Sequence, residues 1–358
     1  MDFTPEAAAA AVAEATDEVV SRLTPDWTCL FPGAEPDLAA WQSFVDAGLT
    51  VLALPEEAGG AGLGADALAP LAAGAGRAAA IVPLIGTLTA AAALAQTPQA
   101  AARWAPALTQ GRWCAAAVAE RGRSLGAAPQ TRLADAGDGL RLHGTKTGVA
   151  FAGGAAALVV TAHGGVAVVD PQAPGVSSTR TPSSSGAAEY TVVFDDVVVG
   201  PQDVLAADPQ PVTELYRVLL AAYADGLLAG AMAMTAGHVT DREQFGKPIA
   251  AFQAVGQQLA DVYVVSRTLN LIVTAAAWRL ATGRDAAEDL ATADYWLAAE
   301  LPAALRTMTH LHGGVGVDLS YPLHRYFSLA KDLARLTGGP GATLDALAEV
   351  TVEEAMCS

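Results

Sequence analysis

Between two long stretches rich in Ala, Leu and Val stands Asp241-Arg242-Glu243-Gln244-Phe245-Gly246-Lys247-Pro248-Ile249. Gly246 and Pro248 stop a helix and turn the chain. Just ahead of the stop come a cation, an amide and an aromatic ring: Arg242, Gln244 and Phe245. A guanidinium is a planar fork that holds two oxygens of a pyrophosphate at once. A phenyl ring offers a flat apolar face to another ring system. Together they have the chemistry to hold a ligand with a phosphate and a ring. The same residues allow a structural alternative, in which Arg242 offsets the dipole of the helix end and Phe245 is core.

Composition narrows the classes. A net charge of −17 repels nucleic acid phosphates, so no nucleic-acid partner is expected. It does not exclude a phosphate-bearing cofactor, because Arg242 acts locally. Cys29, Cys114 and Cys357 are scattered and odd in number, which fits a reducing cytoplasm without disulfides or zinc spacing. The start, Met1-Asp2-Phe3-Thr4-Pro5-Glu6, lacks the basic residues of a secretory signal. No apolar run of about 18 residues is free of Gly, Pro and charge, so no membrane span is expected.

The elements that must position the segment divide the 358 residues into three parts. Residues 5–23 read as a helix with Thr4 as N-cap and Pro5 in its first turn. A helix over 37–48, a glycine-rich loop over 52–64 and helices over 66–108, broken by Gly74, Pro83 and Pro98, complete a helical domain, 1–110. Strand patterns follow at 112–119, 139–143, 156–162, 165–169 and 189–199, a sandwich or barrel over 111–208. Helical periodicity returns over 209–358, with helices at 212–240, 249–281, 284–298, 300–312, 320–336 and 341–356. Long helices joined by short loops make a bundle. The fold class is therefore α+β.

This order, and the motifs in it, resemble the acyl-CoA dehydrogenase family. Arg242-Glu243-Gln244-Phe245-Gly246-Lys247-Pro248-Ile249, with Phe252-Gln253 and Leu259-Ala260-Asp261 after it, is similar to the family signature at its flavin site. His312-Gly313-Gly314-Val315-Gly316 resembles a second signature, and Tyr321-Pro322-Leu323-His324-Arg325-Tyr326 its continuation. Leu142-His143-Gly144-Thr145-Lys146 and Phe194-Asp195-Asp196-Val197-Val198-Val199 resemble strands of its β-domain. More narrowly, Ala222-Tyr223-Ala224-Asp225-Gly226-Leu227, His310-Leu311-His312-Gly313-Gly314 and Leu333-Ala334-Arg335-Leu336-Thr337-Gly338-Gly339-Pro340 resemble one subunit of the actinobacterial heteromeric enzymes that act on cholesterol side chains, at the three-carbon stage.

The resemblance implies removal of two hydrogens across the α and β carbons of an acyl-CoA. A Glu takes the α-proton, whose acidity depends on a polarised thioester, and FAD takes the β-hydrogen as hydride. The family places its Glu in one of two positions, which here hold Thr337 and Tyr216. Neither hydroxyl is an ordinary base near neutral pH. In the β-domain, Ala117-Val118-Ala119-Glu120-Arg121-Gly122-Arg123-Ser124 departs from the family's Thr-Glu-Pro and Gly-Ser-Asp run. Gly144-Thr145-Lys146 leads into Thr147-Gly148-Val149-Ala150 without the family's Trp.

The groups that the family lends across an interface to a neighbour's flavin are present: Arg242, Gln244, Phe245, Gln253, Gly313 and Gly314, with His310 where Gln is common. The implied role is a chain without its own catalytic base that shares FAD with a homologous subunit in an α₂β₂ heterotetramer. Two alternatives use the same residues. One is a self-sufficient enzyme with another base, for which Glu214 and Asp225 are the carboxylates on the first bundle helix. The other is a scaffold without flavin contact. His163, His238, His324, Trp278 and Trp296 default to structural roles.

Overall fold

A computed structural model describes residues 6–27, 36–137 and 139–357, with the side chains of 353–357 excepted. Thr4, Pro5 and Cys29, and the side chain of Cys357, lie outside the described residues. The chain has the expected α+β architecture of helical, β and helical parts. The first part holds α1 (Ala7–Ser21), α2 (Leu38–Asp46), α3 (Ala65–Arg77), α4 (Leu84–Ala95) and α5 (Pro98–Thr109). Pro83 and Pro98 stand at helix starts, as their missing N–H allows. Gly74 does not break the helix, contrary to expectation. It lies inside α3, where a Cβ would meet the Thr16 methyl of α1 at 2.3 Å.

The middle part is a sandwich of two four-stranded sheets. Its strands are β1 (Cys114–Ala117), β2 (Arg132–Asp135), β3 (Leu140–Ala150), β4 (Ala157–Ala162), β5 (Gly165–Val169), β6 (Val176–Thr181), β7 (Glu189–Val199) and β8 (Val204–Ala206). The sheet orders are β1-β4-β5-β8 and β2-β3-β7-β6. Sequence reading missed β2, β6 and β8. Each is short or at a sheet edge, and β6 (Val-Ser-Ser-Thr-Arg-Thr) is mostly exposed, so no alternation of apolar residues marks it. β3 runs to Ala150, because bulges after Leu142 and Lys146 let it keep pairing with β7.

The last part begins with α6 (Gln210–Asp241), followed by a miniature hairpin of β9 (Glu243–Gln244) and β10 (Lys247–Pro248). Next come α7 (Gln253–Ala281), α8 (Ala287–Tyr295), α9 (Leu301–His312), α10 (Leu323–Leu336) and α11 (Gly339–Cys357). The two helices expected over 284–312 are one rod, joined by a π-helical turn at Trp296–Glu300. Pro302 follows that turn and has no N–H for a regular helical bond, so the wider turn absorbs the mismatch.

α6 is the spine of the molecule, and every residue from Tyr216 to Leu228 on it is buried. It crosses α3 with backbone nearly touching backbone. A Cβ on Gly226 would lie 1.8 Å from the Ala73 carbonyl oxygen, and one on Gly76 would lie 2.0 Å from that of Tyr223. The Tyr223 hydroxyl donates to Ala80 O at 3.0 Å and that of Tyr326 to Arg77 O at 2.7 Å, both fixing the end of α3.

Polar contacts fasten the β-domain on both sides. Asp203 accepts from Arg103 at 2.6 Å and from the Trp104 indole at 3.2 Å, both on α5. Asp332 of α10 accepts the amides of Ser184 and Ser185 at 2.7 and 2.9 Å. Arg335 of α10 pairs with Glu189 at the start of β7. Burial raises the Glu189 carboxyl from 4.5 to about 7; Asp332 adds to the rise and Arg335 opposes it.

Gly226→Ala is expected to cost at least about 3 kcal/mol, because neither backbone can yield to the added methyl. A urea midpoint that stays within error would show that the crossing tolerates a side chain. Glu189 also sets a pH dependence. The unfolded carboxyl ionises near 4.5 and the folded one near 7, so this group's contribution to stability is full below about pH 4.5 and is lost as pH rises to about 7. The loss is about 1–3 kcal/mol. Glu189→Gln removes this component, so its stability relative to the wild type is expected to be higher at pH 8 than at pH 5 in urea titrations. Parallel pH profiles for the two proteins would contradict it.

Candidate functional site

The corner between α6 and α7 is built by a two-residue turn. Arg242 ends α6, its amide donating to His238 O at 2.9 Å, and the Ile249 amide returns to Arg242 O at 2.8 Å. Gln244 pairs with Lys247. Between them Phe245 and Gly246 both have positive φ, 54° and 79°, as a type I′ turn requires. Asn suits the first of these positions, whereas Phe there costs about 1–2 kcal/mol. Phe245 is 93% exposed, and among the described residues its ring meets one other ring, Phe252, edge-on with 6.2 Å between centroids. The expectation that Phe245 could be core is therefore wrong. Gln244 and Gln253 are exposed, and the Arg242 side chain has no ion pair or hydrogen bond among the described residues.

A second segment lies beside this corner. The rings of His238, in the last turn of α6, and His312, in the last turn of α9, stack at 4.3 Å. His312 Nδ1 meets Met308 O at 2.9 Å, so that nitrogen carries the proton. Burial lowers the His312 pKa, and the neighbouring His238 adds to this. Gly313 follows at φ 61°, ψ −138°, a conformation that residues with a side chain avoid. At both Gly313 and Gly314 a Cβ would project into open space, so the backbone there can be approached closely. His310 is exposed on the same turn of α9.

The two base positions lie elsewhere, where the bundle meets the β-domain. Tyr216 is buried, and burial raises its pKa, with Glu189 adding to the effect. Thr337 is buried and its hydroxyl donates to Ala334 O at 3.0 Å. Neither can accept a proton near neutral pH. A cavity of about 120 Å³ opens between Tyr216, Tyr223, Leu220, Glu189 and Asp332. Glu189 and Asp332 went unnoticed in the sequence, since each is a lone acid in an ordinary strand or helix pattern. Only burial reveals them, and both are already held by Arg335 and by the Ser184–Ser185 amides. Asp225 accepts from Asn270 at 3.0 Å and Glu214 from Gln210 at 2.8 Å; neither lines this cavity.

A larger cavity, about 800 Å³, lies against the segments 119–123 and 144–148. Behind it Lys146 is fully buried, donating to Val118 O at 3.0 Å, Glu120 at 2.8 Å and the Thr161 hydroxyl at 3.2 Å. Glu120 also accepts the amides of Gln130 and Thr131 at 2.7 and 2.9 Å. Burial works to raise the Glu120 carboxyl, but these donors outweigh it and hold the group below its ordinary range. Among the described residues no aromatic side chain lines the cavity. Among the described residues no cluster of His, Cys, Asp and Glu could hold a metal.

Residues 212–349 match the acyl-CoA dehydrogenase C-terminal domain. The chain is 40% identical over 352 residues to acyl-CoA dehydrogenase FadE28 of Mycobacterium tuberculosis, covering 97% of this chain and 98% of the relative. The ChsE4-ChsE5 complex of the same species superposes with a TM-score of 0.86 at 32% identity, over 99% of both chains. A variant of the Tcur3481-Tcur3483 steroid ACAD superposes with a TM-score of 0.87 at 33% identity, covering 97% of this chain and 98% of that one. With sequence likeness running end to end and the fold matching throughout, the chain belongs to the acyl-CoA dehydrogenase family.

Proposed function

We propose that the chain is the subunit of a heteromeric FAD-dependent acyl-CoA dehydrogenase that completes the flavin site of a homologous partner and carries no catalytic base itself. The observation that carries this is an asymmetry. Both base positions are buried hydroxyls, while the groups suited to a flavin stand exposed on the opposite corner. FAD is the family's cofactor, and when bound it takes up the hydride. The residues at the corner fit one half of its site. Arg242 offers an uncommitted guanidinium for the pyrophosphate. Phe245 and Gln253 offer an apolar edge and an amide. Gly313 and Gly314 leave room that side chains would fill.

The surface around this corner supports a partner. α6 and α7 are both long and apolar enough to cross a membrane, but α6 spends its apolar residues inside the bundle. Only 28% of the apolar stretch of α7 is buried, and Tyr263, Val264 and Leu271 face outward. Val315, Val317 and Leu319, just beyond the glycine turn, are also exposed. Exposed apolar residues gathered on a long helix and beside the glycine turn suit a protein contact. In the proposed α₂β₂ assembly, a homologous subunit covers it, carries the Glu and grips the flavin ring with its own β-domain. The substrate class is a steroid side-chain acyl-CoA, with the three-carbon side chain favoured by the motif resemblance and the steroid class by the relatives' names. The proposed setting is the cytoplasm.

Purified by itself, the chain is expected to be colourless near 450 nm and inactive. Co-expressed with a homologous subunit bearing the Glu, it is expected to yield one FAD per pair of chains and to oxidise a steroid acyl-CoA. A yellow, active homo-oligomer would establish a self-sufficient enzyme instead. Arg242→Ala in the complex is expected to weaken flavin retention by about tenfold or more, as for loss of a charge-assisted bidentate contact. Undiminished flavin content after gel filtration would point to a scaffold role.

A further inference from the structure

The stacked rings of His238 and His312 join the two halves of the exposed corner. His238 lies one turn ahead of Arg242, and its carbonyl accepts the Arg242 amide at 2.9 Å. His312 stands directly ahead of Gly313 and Gly314. The glycine turn also folds back onto it: a Cβ on Gly316 would stand 2.9 Å from His312 Cβ and 2.5 Å from Thr309 O. Past the turn, the Tyr321 ring tilts against His312 with 5.4 Å between centroids. A shift of His312 therefore disturbs both the glycine turn behind it and the end of α6 in front of it.

The pair suits two neutral rings. His312 is buried, and with Nδ1 donating to Met308 O its Nε2 is an acceptor, buried with no hydrogen-bond partner among the described residues. A proton on Nε2 makes a buried N–H without an acceptor and a cation against the face of His238. A buried polar group left in that state is destabilising. The charges that reach the pair are on α6: Arg242 opposes a cation on His238, and Asp241 favours one. Tyr321 stays neutral, since burial raises its pKa. His324 of α10 is bound to Tyr321 O at 2.7 Å and lies near Asp318. No group of α7 shifts either ring. The dipoles of α6 and α9, which both end here, favour a cation. Burial outweighs them and holds both imidazoles below their usual range.

We infer that the His238–His312 stack is a positioning clasp, which holds Arg242 and the Gly313–Gly314 turn in register for the flavin and opens when His312 takes a proton. The inference rests on the proposed function in one respect, that flavin is held at this corner. The unfolded imidazole takes its proton near 6.5 and the folded one lower, so the clasp is intact above about pH 6.5 and weakens as pH falls below it. Flavin release from the co-purified FAD complex is the test, read as absorbance near 450 nm after gel filtration and as the rise of free-flavin fluorescence, at pH 7.5 and 5.5. Wild-type release is expected to be at least about tenfold faster at pH 5.5. His312→Phe keeps a ring in the stack but takes no proton, and is expected to release flavin at similar rates at both pH values. His238→Phe alters a half-buried position and is expected to move the onset of release to lower pH, because one opposing charge is gone. In urea titrations of the full-length chain, His312→Phe is expected to gain stability relative to the wild type on going from pH 7.5 to 5.5. Parallel release profiles for the wild type and His312→Phe, or, should that variant not fold, an unmoved onset in His238→Phe, would overturn the inference and leave the proposed function standing. Undiminished flavin content in Arg242→Ala would overturn the flavin-sharing role and the clasp with it.

Discussion

The contact on which the rest depends is the crossing of α3 and α6 through Gly76 and Gly226. Two helices approach this closely only where neither carries a Cβ at the contact. The approach lets α6 run through the molecule with both flanks covered, by the N-terminal helices on one side and the bundle on the other. Once α6 is fixed, three places follow. Its early turns carry Tyr216 and Arg217 to the junction with the β-domain. Its middle is core. Its end delivers Arg242 and the strained turn to the surface.

Buried charge is the second organising element, and it is used for placement. Arg217 meets Asp294 at 2.9 Å, Lys146 meets Glu120, and Arg335 holds Glu189 while Asp332 takes two amides of the β-domain. Such pairs add little net stability, because desolvation offsets their attraction, but breaking one leaves an uncompensated charge. Arg217–Asp294 ties α6 to α8 within the bundle, Lys146–Glu120 lies within the β-domain, and the contacts of Arg335 and Asp332 hold the β-domain against the bundle. The same commitment bears on chemistry. Carboxylates near the small cavity are engaged as struts, so their presence there does not supply a free base.

The exposed corner behaves oppositely. Phe245 sits on an unfavourable backbone with its ring in solvent, Arg242 lacks a salt partner among the described residues, and the neighbouring α7 face is apolar. A chain acting by itself gains nothing from this arrangement. Completion by a partner, as proposed above, would account for both the strain and the unsatisfied surface.

Much was legible from residue order. Helical and strand periodicities marked the three-part fold. The Arg-x-Gln-Phe-Gly run and the His-Gly-Gly run stood out as family motifs, because short runs of special residues are recognisable without context. The lack of a Glu at 216 and 337 was equally plain. Edge strands β2, β6 and β8 were not, since β2 and β8 are too short to show a period and β6 is polar after Val176, and Gly74 was misread because a glycine that breaks a helix and one that admits a neighbour look alike. The sequence by itself thus determined most of the element types, the family motifs and the hydroxyl residues at 216 and 337. Tertiary structure alone decided which groups are exposed and which are committed. Phe245 is outside rather than in the core, Glu189 and Asp332 are interdomain struts, and His238 and His312 stack between two helices. Each of these depends on contacts between residues distant in the chain, and a local pattern carries no information about those contacts.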